Sequence, residues 1–252
     1  MQIDILTLFP QGLEAFLTQS ILGKAQQKKL IRINLCNLRN FAVPNGRQAT
    51  DKRKTVDGRP YGGGIGMILR PDIVVGAIES VREKEKSRKK KKTETLPQIT
   101  NPYVILLDPK GNIFNQKKAE RLAKKDWLIL VCGHYEGVDA RVENFVDETV
   151  SIGDYILAGG EAAALVLVDA ITRLLPGVLA KTGAKEIESF QEPLLEYPQY
   201  TKPANFRGLK VPEVLLTGNQ REIIKWRKRE ALRLTRSQRP DLFEKLKRIR
   251  KD

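Results

Sequence analysis

Short apolar runs rich in Ile, Val and Leu alternate along the chain with stretches of helical periodicity, and no other feature narrows the fold as far. The runs occupy residues 3–9, 31–38, 104–107, 128–132 and 146–152. Between the first two, Leu13, Phe16, Leu17, Ile21 and Leu22 recur at helical spacing. A second helix is predicted over residues 71–80. A third, over residues 161–175, follows Gly160: its Ala-rich start favours helix, Glu161 complements the positive end of the dipole, and Pro176-Gly177 ends it. Elements in this order predict an α/β fold, a sheet with helices on both faces.

Three tracts rich in glycine or small residues follow within thirty residues of one another: Gly133-His134-Tyr135-Glu136-Gly137, Ser151-Ile152-Gly153-Asp154-Tyr155 and Gly159-Gly160-Glu161. The first two directly follow strand-like runs. Glycines at strand ends let the main chain approach a ligand closely, so three such loops can offer N–H and C=O groups to one small molecule. Taken singly each tract is an ordinary turn; their convergence points to a pocket.

With 252 residues, 41% of them hydrophobic, the chain can bury a substantial core, as one large domain or as a larger domain with a small one. The 45 Lys+Arg outnumber the 30 Asp+Glu to give +15, which favours a polyanionic partner, nucleic acid first. No apolar run approaches the roughly 20 residues of a membrane-spanning helix. The start, Met1-Gln2-Ile3-Asp4-Ile5-Leu6, lacks the features of a signal peptide, so a cytoplasmic location is expected. Cys36 and Cys132 lie far apart in apolar runs and read as buried free thiols. One histidine and no Cys-x-x-Cys argue against zinc; a magnesium requirement is not legible.

Two segments differ in character. Residues 82–92 hold eight basic and two acidic residues with no apolar member, and residues 82–100 read as a solvated, charged surface insertion. Residues 181–212, with Pro193, Pro198, Pro203 and Pro212 and little periodicity, read as a linker after a first domain of residues 1–180. Residues 213–252 are helical and basic, with thirteen Lys+Arg against five Asp+Glu from Arg221 onward, and read as a small helical domain.

Standard nucleotide fingerprints do not account for the chemistry. Gly62-Gly63-Gly64-Ile65-Gly66-Met67 fails G-x-G-x-x-G at its last position, and no Gly-Lys-Ser/Thr loop occurs. His134, the lone histidine, would have to be the base of any Ser or Cys nucleophile. Acid–base work is left to carboxylates, notably Asp57, Glu136, Asp154, Asp169 and Glu188.

Four long motifs carry a specific resemblance. Arg59-Pro60-Tyr61-Gly62-Gly63-Gly64-Ile65-Gly66-Met67, Gly133-His134-Tyr135-Glu136-Gly137-Val138-Asp139, Ser151-Ile152-Gly153-Asp154-Tyr155-Ile156-Leu157-Ala158-Gly159-Gly160-Glu161 and Val211-Pro212-Glu213-Val214-Leu215-Leu216-Thr217-Gly218-Asn219 occur in the order and at the spacing of the bacterial tRNA (guanine-N1)-methyltransferases. The chain resembles that family over nearly its whole length. The resemblance implies a SPOUT-class homodimer: an α/β domain whose C-terminal part forms a deep trefoil knot, one of the rare exceptions to the rule against threaded chains, and a small all-α C-terminal domain. It implies methyl transfer from S-adenosylmethionine to N1 of the guanosine at tRNA position 37, just 3′ of the anticodon, with no membrane and no stable protein partner.

Carried over residue by residue, the resemblance puts S-adenosylmethionine among Leu107, Asp108, Pro109, Gly111, Gly133, the stretch Ile152, Gly153, Asp154, Tyr155, Ile156 and Leu157, and Gly159 and Gly160. Leu157 and its neighbours would supply an apolar wall. Glu136 matches the residue that contacts the target guanine, and Asp57 joins it on the substrate side. Arg173 matches the family's catalytic arginine; four residues after Asp169 in a helix, it can equally form an intrahelical ion pair. The general base falls on Glu188, where Glu188-Ser189-Phe190 stands for the family's usual Asp-Ser-Phe. Lys225, Arg227, Lys228 and Arg229 are the expected tRNA-phosphate contacts. Two rivals stay open at this level: a SPOUT enzyme acting on ribose or another RNA, and a catalytically silent RNA-binding protein.

Overall fold

A computed structural model of the protein describes residues 1–42, 55–91, 101–179 and 193–249. The chain divides into two compact units, Met1–Ala180 and Lys181–Asp252.

In the first unit, β1 (Gln2–Thr7), β2 (Arg32–Asn37), β5 (Tyr103–Ile113), β6 (Trp127–Cys132) and β7 (Glu148–Ser151) form a parallel sheet in the order β2-β1-β6-β5-β7. β3 (Asp57–Gly58) and β4 (Ile68–Leu69) form a separate antiparallel ribbon. Parallel strands need crossovers, and helices α1 (Pro10–Leu17), α2 (Ser20–Gln27), α3 (Pro71–Lys91) and α4 (Gln116–Ala123) lie in the connecting segments, while α5 (Glu161–Leu174) follows the last strand of the sheet. Side-chain alternation sends each strand's residues to two cores. Ile3, Ile5, Ile105, Leu128 and Leu130 pack with Leu13, Leu17, Leu22, Leu122, Leu167, Val168 and Ile171 from α1, α2, α4 and α5. On the other face Leu6, Val104, Leu106, Ile129 and Val131 meet Ile73, Val74, Ala77 and Ile78 of α3. Parallel strands buried on both faces account for the near-continuous apolar runs.

A buried carboxylate lies in β1. Asp4, 3% exposed, accepts hydrogen bonds from Trp127 Nε1 (2.6 Å), Asn34 Nδ2 (2.7 Å) and Gln2 Nε2 (2.7 Å), which satisfy it and tie three strands together.

Four expectations need adjustment. The helical pattern between the first two strands is two helices, broken at Thr18–Gln19, where the Thr18 hydroxyl donates to the Glu14 carbonyl (2.8 Å) and ends α1. α3 continues to Lys91 rather than stopping near Ser80, so residues 82–91 are helix and not loop: Arg, Glu and Lys are strong helix formers, and neither Gly nor Pro interrupts them. α4 escapes a periodicity search because Ala119 and Leu122 are its only buried residues. Cys132 is buried and Cys36 half-buried, both free.

The second unit has a short hairpin of β8 (Asn205–Phe206) and β9 (Leu209–Lys210), then α6 (Gln220–Gln238) and α7 (Pro240–Ile249). The Asn219 side chain accepts from the Glu222 amide (3.4 Å) to cap α6. Ile223, Ala231, Thr235 and Leu246 form its small interior, where the Thr235 hydroxyl accepts from the Leu195 amide (2.9 Å). Among the described residues no helix is long and apolar enough to cross a membrane.

Candidate active site

At the carboxyl ends of β5, β6 and β7 lies a cavity of about 330 Å³. Ligands of open α/β sheets bind in this position, and the volume falls within the range of small-molecule pockets.

The three glycine tracts meet there. The Gly160 amide donates to the Gly133 carbonyl (2.8 Å), and His134 bridges Gly159 in antiparallel fashion, so the loop after β6 and the loop entering α5 form one wall. The loop after β7 forms a second: the Ser151 hydroxyl donates to the Gly153 carbonyl (3.1 Å), the Tyr155 hydroxyl to the Ile152 carbonyl (3.2 Å), and Tyr155, Ile156 and Leu157 stand exposed at the rim. The third comes from β5. Leu107 and Asn112 both pair with Val150, so Asp108, Pro109, Lys110 and Gly111 bulge out of the ladder, and the Lys110 amide donates to Asp108 Oδ1 (2.9 Å).

Glu136 lines the cavity and is held from outside. Its amide donates to the Met67 carbonyl (3.0 Å), and Gly66, at φ +89°, lies so close that a Cβ there would come within 2.4 Å of Glu136 Cγ. The last glycine of the four-glycine tract thus packs on the carboxylate arm. His134 packs between Phe9 and Tyr135, each ring 5.0 Å away, tilted by 49° to the first and edge-on to the second, and its buried Nδ1 has no hydrogen-bond partner among the described residues. Behind the cavity, Glu161 Oε1 accepts from the Thr7 hydroxyl (2.7 Å), while burial and then the charge of Glu161 push the Cys132 thiol well above its ordinary value. Cys132 is therefore inert as a nucleophile.

The expected donor-site residues Leu107, Asp108, Pro109, Gly133, Ile152, Gly153, Tyr155, Ile156, Leu157, Gly159 and Gly160 all line the cavity. Gly111 and Asp154 do not. A Cβ on Gly111 would sit 2.4 Å from the Val150 nitrogen, so this glycine lets the bulge lie against β7; Asp154 is exposed outside the lining. Val150 and Ala163 line the cavity without having been singled out; a strand-end valine and a first-turn alanine carry no signal beyond their neighbourhood.

The expected substrate and catalytic residues are more dispersed. Asp57 is half-buried in β3, paired with Leu69, which bridges Val138 two residues past Glu136. Arg173 sits in the last turn of α5, half-buried and outside the cavity lining; twelve residues from Glu161, it is roughly 18 Å along the helix axis. Glu188 lies outside the described residues. On α6, Lys225, Lys228 and Arg229 are exposed and the Arg227 guanidinium lies 4.8 Å over the Tyr197 ring. Among the described residues no group of three His, Cys, Asp or Glu is placed to hold a metal ion.

Residues 1–245 match the family described as tRNA (Guanine-1)-methyltransferase TrmD. The chain is 47% identical over 247 residues to a tRNA (guanine-N(1)-)-methyltransferase of Sulfurihydrogenibium sp. (strain YO3AOP1), covering 98% of this chain and 89% of that one. Relatives of the same name from Dictyoglomus turgidum (47% over 245 residues; 97% and 91% covered) and Geobacillus kaustophilus (48% over 245 residues; 97% and 92% covered) are similarly close. With the cavity, its glycine walls and the full-length match in agreement, the chain belongs to the tRNA (Guanine-1)-methyltransferase TrmD family.

Proposed function

We propose that the protein is a tRNA methyltransferase that transfers the methyl group of S-adenosylmethionine to N1 of the guanosine at position 37. The observation that carries the reading is the cavity at the carboxyl ends of β5–β7, walled largely by main chain and apolar side chains, with two carboxylates in its lining, Asp108 on the β5 bulge and Glu136 on the loop after β6. Such walls fit a ligand with an adenine edge and an apolar, bent tail. Bound there, the donor supplies an electrophilic methyl on a sulfonium.

The chain's own residues must then manage guanine. N1 of the neutral base carries a proton and its lone pair is delocalised into the lactam, so a base must accept that proton as the N1–methyl bond forms. Glu136 is suited to orienting guanine, because its carboxylate can accept hydrogen bonds from N1–H and the exocyclic amine. Glu188 is assigned as the base that takes the proton, and Arg173 as the cation that stabilises charge developing on O6.

Arg173 lies far along α5 from the cavity of its own chain, which supports a homodimer in which linker and arginine serve the partner's cavity. In this reading the first unit carries the SPOUT trefoil knot in the region of the three tracts, residues 181–212 connect, and the basic helices of residues 213–252 hold tRNA. Nucleoside analysis of methylated tRNA tests the reaction, with 1-methylguanosine as the expected product. Glu188→Gln tests the base: single-turnover methylation should slow by roughly 10²-fold while donor affinity stays near the parent's. Near-parental rates would move the role to Asp57 or Asp169.

A further inference from the structure

The segment from residue 197 to 212 contains Lys202, Arg207 and Lys210 and no acidic residue. Its centre is the β8–β9 hairpin, in which Phe206 pairs with Leu209 and Asn205 with Lys210. The connecting residues, Arg207 and Gly208, both have positive φ (53° and 85°), and the Gly208 amide donates to Asn205 Oδ1 (3.0 Å). This is the two-residue connection that matches strand twist.

Opposed residues of a hairpin project from the same face, so Phe206 and Leu209 form one apolar patch. They remain 57% and 76% exposed, and the Arg207 guanidinium lies 5.3 Å over the Phe206 ring. A ribbon with two residues per strand has no core of its own to fill. Two large exposed apolar side chains at its tip, with the Arg207 guanidinium over one of them, are the makings of a binding surface.

We propose that this hairpin is a stacking platform for an unpaired nucleotide of the tRNA substrate. Phe206 takes the face of a base and Leu209 its edge, while Arg207, beside the Phe206 ring, meets a flanking phosphate. The inference rests on the reading of the protein as a tRNA methyltransferase. Charge favours RNA over a second copy of the chain: a copy carrying +15 overall would meet an acid-free cationic patch with like-signed charge, whereas a phosphate backbone complements it.

The test uses the full chain and a tRNA transcript, measuring the tRNA dissociation constant across a salt series. Phe206→Ala should raise it at least about fivefold, the lower end for loss of one base–aromatic stack, with an unchanged salt slope because stacking releases no counterions. Phe206→Tyr should restore binding. Arg207→Gln should reduce the salt slope by about one phosphate contact. Donor affinity and melting temperature, measured alongside, should stay at the parental values, which separates lost contact from lost fold. A parental tRNA dissociation constant for Phe206→Ala overturns the proposal, as does an altered mass in sedimentation, which would make the patch a contact between copies. A parent that binds no tRNA overturns the functional reading itself, and this proposal with it.

Discussion

Gly66 lies against the carboxylate arm of Glu136, so near that a Cβ at residue 66 would come within 2.6 Å of Oε1. Gly66 therefore limits where that carboxylate can point. Gly66→Ala should displace Glu136 and lower kcat/KM for tRNA on the order of 10²-fold, the scale of a displacement of about 1 Å at a reacting centre, with donor affinity preserved. Gly63→Ala is the control: it shares a positive φ (85°) but meets nothing within 4 Å, so it carries the backbone strain without the displacement. Equal losses in the two variants would show that strain alone matters.

Arg173 and Glu136 give a second prediction. If each cavity is completed by the partner's residues, mixing an Arg173→Ala chain with a chain altered only at Glu136 (Glu136→Ala) should restore activity. One of the two sites in the heterodimer is then intact when Glu136 acts in one chain and Arg173 comes from the other. Both lesions then fall in the other site; if each cavity used only its own chain's residues, neither site would be whole. No gain in any mixture, with subunit exchange demonstrated, would contradict shared sites.

Lys225, Arg227, Lys228 and Arg229 lie along one helix. Neutralising all four should weaken tRNA binding and flatten its salt dependence, by up to about four phosphate contacts, with no effect on the methyl donor. An unchanged slope would show that the charge serves only solvation.

Glu148 links β7 to α4. Burial alone would raise its carboxyl, but hydrogen bonds from Lys118 and Arg121, with their charges, hold it below the ordinary value. A lowered folded-state value means that the stabilisation is fully present above the unfolded value near 4.5 and is lost as pH falls through the folded one. Glu148→Gln should therefore cost on the order of 1 kcal/mol in urea unfolding at neutral pH and progressively less in acid. A cost that persists at low pH would assign the loss to packing.

The sheet was legible because its inner strands are buried on both faces: runs such as those of β1 and β6, with all six residues buried, have no competing explanation. α4 and the distal half of α3 were not, because helix held by propensity and a few contacts leaves little periodic signal, and 82–91 has no apolar residue to mark a face. Within the site, the glycine tracts betrayed the walls, since close main-chain approach needs glycine. What spacing could not convey was direction: Gly111 turns to the β7 backbone, Asp154 to solvent, and Arg173 is carried along α5 away from the cavity. The Glu161–Thr7 hydrogen bond spans 154 residues, a distance at which no local pattern speaks.

Methyl transfer from labelled S-adenosylmethionine to two tRNA transcripts, identical except for G or A at position 37, tests the central claim most directly. Stoichiometric labelling of the G37 transcript as 1-methylguanosine and background on A37 are expected, because adenine carries no N1 proton for Glu188 to remove, lacks the C2 amino group that the Glu136 carboxylate would accept from, and presents its C6 amine, a donor, where Arg173 would meet guanine's O6. Equal labelling of both transcripts, or label on a ribose hydroxyl, would contradict it.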